Sequence, residues 1–326
     1  MRNGRFPKLF LYFLCFCLLL SATQGCTRSG ESHSRNLPGT KLRIVTTLFP
    51  LYDFARTIAG TRGEVSLLLP PGTEPHSFDP RPDDIMRIGR ASLFIYTNPA
   101  MEPWAERIIK GIDNKNLRVI EAGTGVKYLK AGAKSDHDHD GDSHGGAEGV
   151  DPHVWLDFAN AVTMVDTILV GFVAADPVNR EYYAKNANAL KAGLIDLDRR
   201  YRDGLTFCGT KTFLHGGHFT FGYLAHRYGL SYRSLSGVSS EAEPSAAAMA
   251  SMVRQIRQSG VRYLFAEELL SPRITEILAA EAGVGVLKLH GAHNLSQDDF
   301  QRGVTFISLM DDNLAHLQKG LACRVK

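Results

Sequence analysis

Short apolar-rich runs alternate along this chain with stretches in which apolar positions return every three or four residues. The runs "LRIVTT" (42–47), "EVSLLLP" (64–70), "SLFIYTN" (92–98) and "LRVIEAG" (117–123) have strand length and read as buried strands. A second series starts at "TKTFLH" (210–215) and continues through "LSYRSLS" (230–236), "VRYLFAE" (261–267) and "VGVLKLH" (284–290). Helical spacing covers 51–59, 83–89 and 101–111 in the first series, and 219–228, 245–258, 272–282 and 299–321 in the second. In the last of these, Val304, Ile307, Met310, Leu314, Leu317 and Leu321 form one core-facing stripe. Strands alternating with helices predict mainly parallel sheets covered on both faces. The expected fold class is therefore α/β, in two lobes.

One long helix is predicted between the series. Asp176 and Pro177 make a good helix start, and Val178, Tyr182, Ala187, Leu190, Leu194, Leu197 and Tyr201 keep a roughly helical spacing up to Gly204. At 1.5 Å per residue, about 27 residues span roughly 40 Å, which makes a stiff connector. The expected organisation is a signal at 1–25, a polar tether at 26–40, a first lobe at 41–175, the connecting helix at 176–205 and a second lobe at 206–326.

The N-terminus reads as a secretory signal: Arg2, Arg5 and Lys8 precede an apolar run, Leu9 to Leu20, that is too short to span a bilayer as a helix. It ends in "SATQGC", which resembles the cleavage box of bacterial lipoproteins and would make Cys26 a lipidated N-terminus; Thr23 departs from the usual leucine. This places the protein outside the cytoplasm, in the periplasm or on the outer face of the cytoplasmic membrane. Cys15 and Cys17 leave with the signal, so Cys208 and Cys323 remain as an even pair, either bonded or both free. Lys and Arg total 37 against 34 Asp and Glu, a net +3 that includes the signal's basic residues. Nothing in this balance points to nucleic acid.

The candidate chemistry is in the histidines. "HDHDGDSHGG" (137–146), with His137, His139 and His144, combines metal-binding side chains with no apolar anchor, so residues 136–148 read as a mobile loop with weak, ill-shaped sites. Of the other histidines, His33 lies in the tether and His226 and His316 on predicted helices; the rest mostly fall on loops that leave strands, where ligands gather in open α/β sheets. His76 follows the strand 64–70 in a loop stiffened by five prolines between 70 and 82. His153 lies in "DPHVWLD", His215 and His218 in "LHGGHFTFGYLAHRYGL", and His290 and His293 in "LKLHGAHNLSQ". Histidines on strand-exit loops of both lobes point to one metal site in the cleft.

Five segments, "IVTTLFPLYDFARTIAG", "LLPPGTEPHSFDPRPDDI", "DPHVWLD", "HFTFGYLAHRYGL" and "FAEELLSPR", together resemble the solute-binding proteins of zinc and manganese ABC importers. The resemblance runs in order from about residue 41 to the C-terminus. It implies two α/β lobes joined by one helix, a metal held by one ligand from each of four loops, and a membrane permease and ATPase as partners of a monomeric, membrane-anchored receptor. Matched by motif, His76, His153 and His218 are three ligands. Relatives commonly carry an aspartate at the fourth position, and the matching residue here is His290. His293, Glu267, Glu268 or a water are the alternatives, and His215 is the alternative to His218. Glu267 or Glu268 could instead orient a ligand histidine through its second nitrogen. The histidine-rich loop implies local capture and delivery of metal, or else is a solvated loop with incidental affinity.

Three or four imidazoles favour Zn2+ over Mn2+ or Fe2+, which take more oxygen donors. Other classes remain open: a periplasmic zinc metallochaperone without a transporter, and a zinc hydrolase with Glu74 as general base. No HExxH-type element supports the hydrolase, and the expectation is that the protein is not an enzyme.

Overall fold

The computed structural model describes residues 41–130, 149–238, 244–268 and 272–324. The signal, Cys26, the tether and the histidine-rich stretch 136–148 lie outside the described residues.

Eight strands form two four-stranded parallel sheets. The first holds β1 (Leu42–Thr46), β2 (Gly63–Leu67), β3 (Leu93–Tyr96) and β4 (Arg118–Glu121) in the order β2-β1-β3-β4. The second holds β5 (Thr212–His215), β6 (Ser231–Ser234), β7 (Tyr263–Glu267) and β8 (Gly285–Leu289) in the equivalent order β6-β5-β7-β8. Both orders reverse beside their first strand, so each sheet opens a crevice at its carboxyl edge. Every predicted strand is present, shortened by one to three residues at an end. Central β3, with the sequence LFIY, is buried along its whole length, as an apolar run with helices on both faces requires.

The first sheet is covered by α1 (Phe49–Ala59), α2 (Pro82–Gly89), α3 (Ala105–Gly111) and α4 (Phe158–Ala175). Then comes the long helix, α5 (Arg180–Gly204), 25 residues and roughly 38 Å at 1.5 Å per residue. The second sheet carries α6 (Gly222–Tyr228), α7 (Ala246–Ser259), α8 (Arg273–Ala282), α9 (Gln297–Gln301) and α10 (Phe306–Gly320).

Two sequence expectations shift. The long helix starts at Arg180, because Pro177–Asn179 forms a short 3₁₀ turn and Asp176 Oδ2 is taken by the Asn179 amide and the Tyr183 hydroxyl. Its buried stripe is consequently Tyr183, Ala187, Leu190, Leu194, Leu197 and Tyr201, while Val178 is 92% exposed. The terminal helix is broken in two at Gly303, whose φ of +70° is left-handed, and α10 restarts from a Thr305–Ser308 capping box.

The main core is continuous across both sheets: Ile44, Phe54 and Trp155 belong to the same cluster as Phe213, Phe265 and Leu317. Helix α5 packs on α1 and α4 from one series and on α10 from the other, where the Tyr201 hydroxyl donates to the Met310 carbonyl at 2.6 Å. Arg227 of α6 reaches Asp198 of α5 and Asp157, the residue that caps α4. Helix α4 is long and apolar enough to cross a bilayer by composition, but Phe158, Ala161, Met164, Val165, Ile168 and Phe172 of its inner face are buried in this core.

Cys208 and Cys323 are joined by a disulfide that closes a 115-residue separation and ties the chain after α10 to the segment before β5. Restricting so long a loop in the unfolded chain stabilises the fold by about 2–4 kcal/mol in typical cases. Changing both cysteines to serine should lower the unfolding free energy by that amount in urea titrations, and reductant should destabilise the parent equally while leaving the double variant unchanged.

Candidate metal centre

Four loops bring one imidazole each to a common point. The His76 loop leaves β2 through Pro70, Pro71 and Pro75, and Glu74 Oε2 accepts the Ser77 N–H at 3.1 Å to close its final turn. His153 follows a short antiparallel bridge between Lys130 and Val150. The Tyr223 hydroxyl steadies that stem by accepting the Leu129 N–H and donating to the Asp151 carbonyl. A 3₁₀ turn, Val154–Leu156, then buries Trp155, whose indole N–H donates to Gly291 O at 2.8 Å.

His218 leaves β5 through Gly216 and Gly217. A Cβ at Gly217 would lie 2.2 Å from Glu267 Oε2, so a larger residue there would push that carboxylate off His218. His293 leaves β8 through Gly291 and Ala292, and the left-handed φ of 58° at Ala292 turns the chain back into the cleft. A Cβ at Gly291 would strike the His293 ring at 2.6 Å.

The rings of His76, His153, His218 and His293 lie pairwise 4.9–5.7 Å apart between centroids. One nitrogen from each falls within 4.8 Å of the others. His218 Nε2 and His153 Nε2 are 3.4 Å apart. An ion bound tetrahedrally with Zn–N of about 2.0–2.1 Å would separate its donors by roughly 3.3–3.4 Å, so this edge already fits. His153, His218 and His293 are buried, and His293 Nε2 has no hydrogen-bond partner among the described residues. A buried nitrogen lone pair without a donor is costly unless a cation or water meets it. The donor set is all nitrogen, the kind that borderline-soft ions prefer.

Two carboxylates stand behind the imidazoles. Asp151 Oδ1 lies 2.7 Å from His153 Nδ1 and also accepts the His153 backbone N–H. Glu267 straddles His218 Nδ1, with its two oxygens at 2.8 and 2.9 Å. An Nδ1–H donated to a carboxylate leaves Nε2 as the lone pair facing the cluster and makes it more basic. Burial pushes both carboxyls up, to about 7, and pushes His218 down to about 4. His153 and His293 are also held below the usual imidazole range, first by burial and then by neighbouring histidines. His153, His218 and His293 are therefore neutral near pH 7 and ready to act as ligands.

At the fourth position the cluster contains His293, and the expected His290 stands outside it. His290 Nδ1 accepts the Ala292 N–H at 2.9 Å and lies 3.2 Å from Glu268, while its backbone is clamped by Asn313. The chain reverses at Ala292, so the side chain three residues later is the one that enters the cleft. His215 is also outside; its Nδ1 meets the His218 carbonyl at 3.1 Å, and burial lowers it to about 4. Glu267 lies against His218 Nδ1, Glu268 accepts the Gly291 N–H, and Glu74 is occupied in its own turn. Sequence reading missed Asp151. Its signal was the Asp-Pro-His spacing, which lets an aspartate reach both the N–H and the ring two residues on. The accessory histidines His137, His139 and His144 lie outside the described residues.

Residues 44–320 match the family model described as zinc-uptake complex component A, periplasmic. The chain is 34% identical over 311 residues to the high-affinity zinc uptake system protein ZnuA of Bacillus subtilis, covering 95% of this chain and 97% of that one. It is 36% identical over 279 residues to the zinc-binding lipoprotein AdcA of Streptococcus pneumoniae, covering 86% of this chain but only 56% of that longer protein. The crystal structure of the Zn(II)-bound ZnuA-like domain of AdcA superposes with a TM-score of 0.74 at 34% identity, over 86% of this chain and 99% of the domain.

A bound dication would draw both raised carboxyls into their ionised form, so binding should expel protons. With each carboxyl near half-protonated at pH 7, the expected release is on the order of one proton per ion, and affinity should rise from pH 6 to 8. Calorimetry in buffers of different ionisation enthalpy reads this directly; no proton release at pH 7 would contradict the assignment. Asp151→Asn and Glu267→Gln should each weaken binding by about 10- to 100-fold.

Proposed function

The chain belongs to the family of the periplasmic zinc-uptake complex component A, and on that premise we propose that His76, His153, His218 and His293 hold the Zn2+ ion that the protein captures for an ABC importer. The family is one of solute-binding receptors, so the ion is cargo and the partners are a membrane permease and its ATPase. What carries the assignment is the convergence of four imidazoles from four separate loops on one buried point, with carboxylates behind two of them.

Four imidazole nitrogens complete a tetrahedral shell without an open coordination position, which suits a carrier and leaves no place for an activated water. The same all-nitrogen set favours Zn2+ over Mn2+ and Fe2+. Charge is balanced at one remove, because Asp151 and Glu267 carry the compensating negative charges through the Nδ1–H groups. This arrangement disfavours the hydrolase reading. We further propose that Cys26 is lipidated, on the strength of "SATQGC", and that the receptor works as a monomer tethered to the membrane by the polar segment 27–40. The segment 136–148 is assigned an accessory role in gathering metal near the cleft, on its composition alone.

Protein purified without a histidine tag should bind one zinc ion tightly per chain. Deleting residues 136–148 should remove only weaker additional binding; loss of the stoichiometric site in calorimetry would move the principal site into that loop. His293→Ala should weaken zinc binding by more than about 100-fold, the upper range for loss of a ligand's own hydrogen-bond partner. His290→Ala should change it by less than about threefold, or under 1 kcal/mol. Reversal of that order, measured against a chromophoric chelator, would restore His290 as the fourth ligand.

A further inference from the structure

We infer that Asn294 is a positioning residue that binds the His76 loop to the His293 loop, so that one ligand from each lobe is held as a single unit. The inference rests on the proposed zinc site and deepens it.

Asn294 is fully buried and all its side-chain hydrogen-bonding capacity faces the backbone. Its amide donates to the Pro70 carbonyl at 2.7 Å and to the Thr73 carbonyl at 2.9 Å, and its Oδ1 accepts the Leu295 N–H at 2.8 Å. Immediately beside it, the Gly72 N–H donates to the Leu295 carbonyl at 2.7 Å. Three bonds to the His76 loop thus come from the two residues that follow His293.

The loop's own bonds close local turns. Pro70, Pro71 and Pro75 have no N–H to donate, and the Thr73 N–H to the Pro70 carbonyl, the Ser77 N–H to Glu74 and the Phe78 N–H to the Pro75 carbonyl each span three residues. The other face of the His293 segment is stitched in the same direction. The Phe49 N–H at the start of α1 donates to the His293 carbonyl at 3.0 Å, and the Trp155 indole donates to Gly291. The fourth ligand therefore sits on a segment of the second lobe whose backbone is bonded to three parts of the first. The His76 and His293 rings lie 5.7 Å apart, and this seam holds the two loops that carry them.

Asparagine is specifically suited to the position. Two N–H donors and one acceptor on a short side chain meet two carbonyls and one N–H; alanine supplies none of these, so the Thr73 carbonyl and the Leu295 N–H lose this partner and the Pro70 carbonyl keeps only the Thr73 N–H. Losing the seam would let the His76 loop drift, and such outer contacts to ligands are worth about 10- to 100-fold in metal affinity.

A matched control exists in the same fold. Asn114 also spans two carbonyls with its amide, Gly89 at 2.9 Å and Ala91 at 3.2 Å, while its Oδ1 accepts the Asn116 N–H. None of these partners belongs to a ligand-bearing loop. The full chain is compared as parent, Asn294→Ala and Asn114→Ala, with three readouts: Zn2+ affinity by chelator competition, the visible spectrum of the Co2+-loaded protein, and the urea midpoint of the metal-free form. The expected result is a 10- to 100-fold affinity loss and a weakened tetrahedral Co2+ band in Asn294→Ala alone, with a lower urea midpoint in both variants. Parent-like affinity and spectrum in Asn294→Ala, or equal losses in Asn114→Ala, would overturn the inference while the zinc site stands. A parent chain that binds no stoichiometric zinc would remove the underlying reading itself.

Discussion

Crowding four imidazoles into a water-poor cleft is the constraint on which the rest of this structure depends. Neutral imidazole nitrogens with their rings about 5 Å apart gain little from one another, and burial denies them water. The protein resolves this on the outer side of the rings, where Asp151 and Glu267 take Nδ1–H groups and leave lone pairs pointing inward. The same burial that lowers the imidazoles raises the carboxyls, so the metal-free cluster is poised near neutrality. A dication is the species that satisfies both layers at once.

Holding those side chains requires loops that do not wander, and the fold supplies this by exchanging hydrogen bonds between lobes. The first lobe donates from Phe49 and Trp155 to the His293 segment, and the second donates from Asn294 to the His76 loop. The Tyr223 hydroxyl and Arg227, both on α6, grip the segment that carries His153 at its two ends. Helix α5 runs along this seam with a buried aromatic and leucine stripe. The two sheets consequently share one core, which favours small loop movements over wide hinge closure as the route for an ion to enter and leave.

The all-nitrogen shell also explains why the receptor reading fits better than catalysis. A catalytic zinc needs an open coordination position and a base aimed at it. Here four loops each bring an imidazole to one cluster, and Glu74, the one carboxylate that sequence reading cast as a base, is occupied by the Ser77 N–H and hydroxyl of its own turn.

Alternating strand and helix patterns were enough to determine the α/β class, all eight strands and the long helix, because these depend on local periodicity and on burial that each segment records in its own composition. Histidines on strand-exit loops marked the site for a similar reason: in parallel sheets, chain direction alone decides which ends converge. What sequence could not decide was anything set by a turn of one or two residues. His293 joins the cluster and His290 does not because the chain reverses after β8 at a left-handed Ala292, beside Gly291, where a Cβ would crowd the His293 ring. The same holds for Asp151 and Asn294, whose roles are invisible until distant backbone arrives beside them. Spacing along the chain reports which segments can meet, but the direction in which a side chain enters a cleft is a property of the packed loops, and tertiary structure alone decides it.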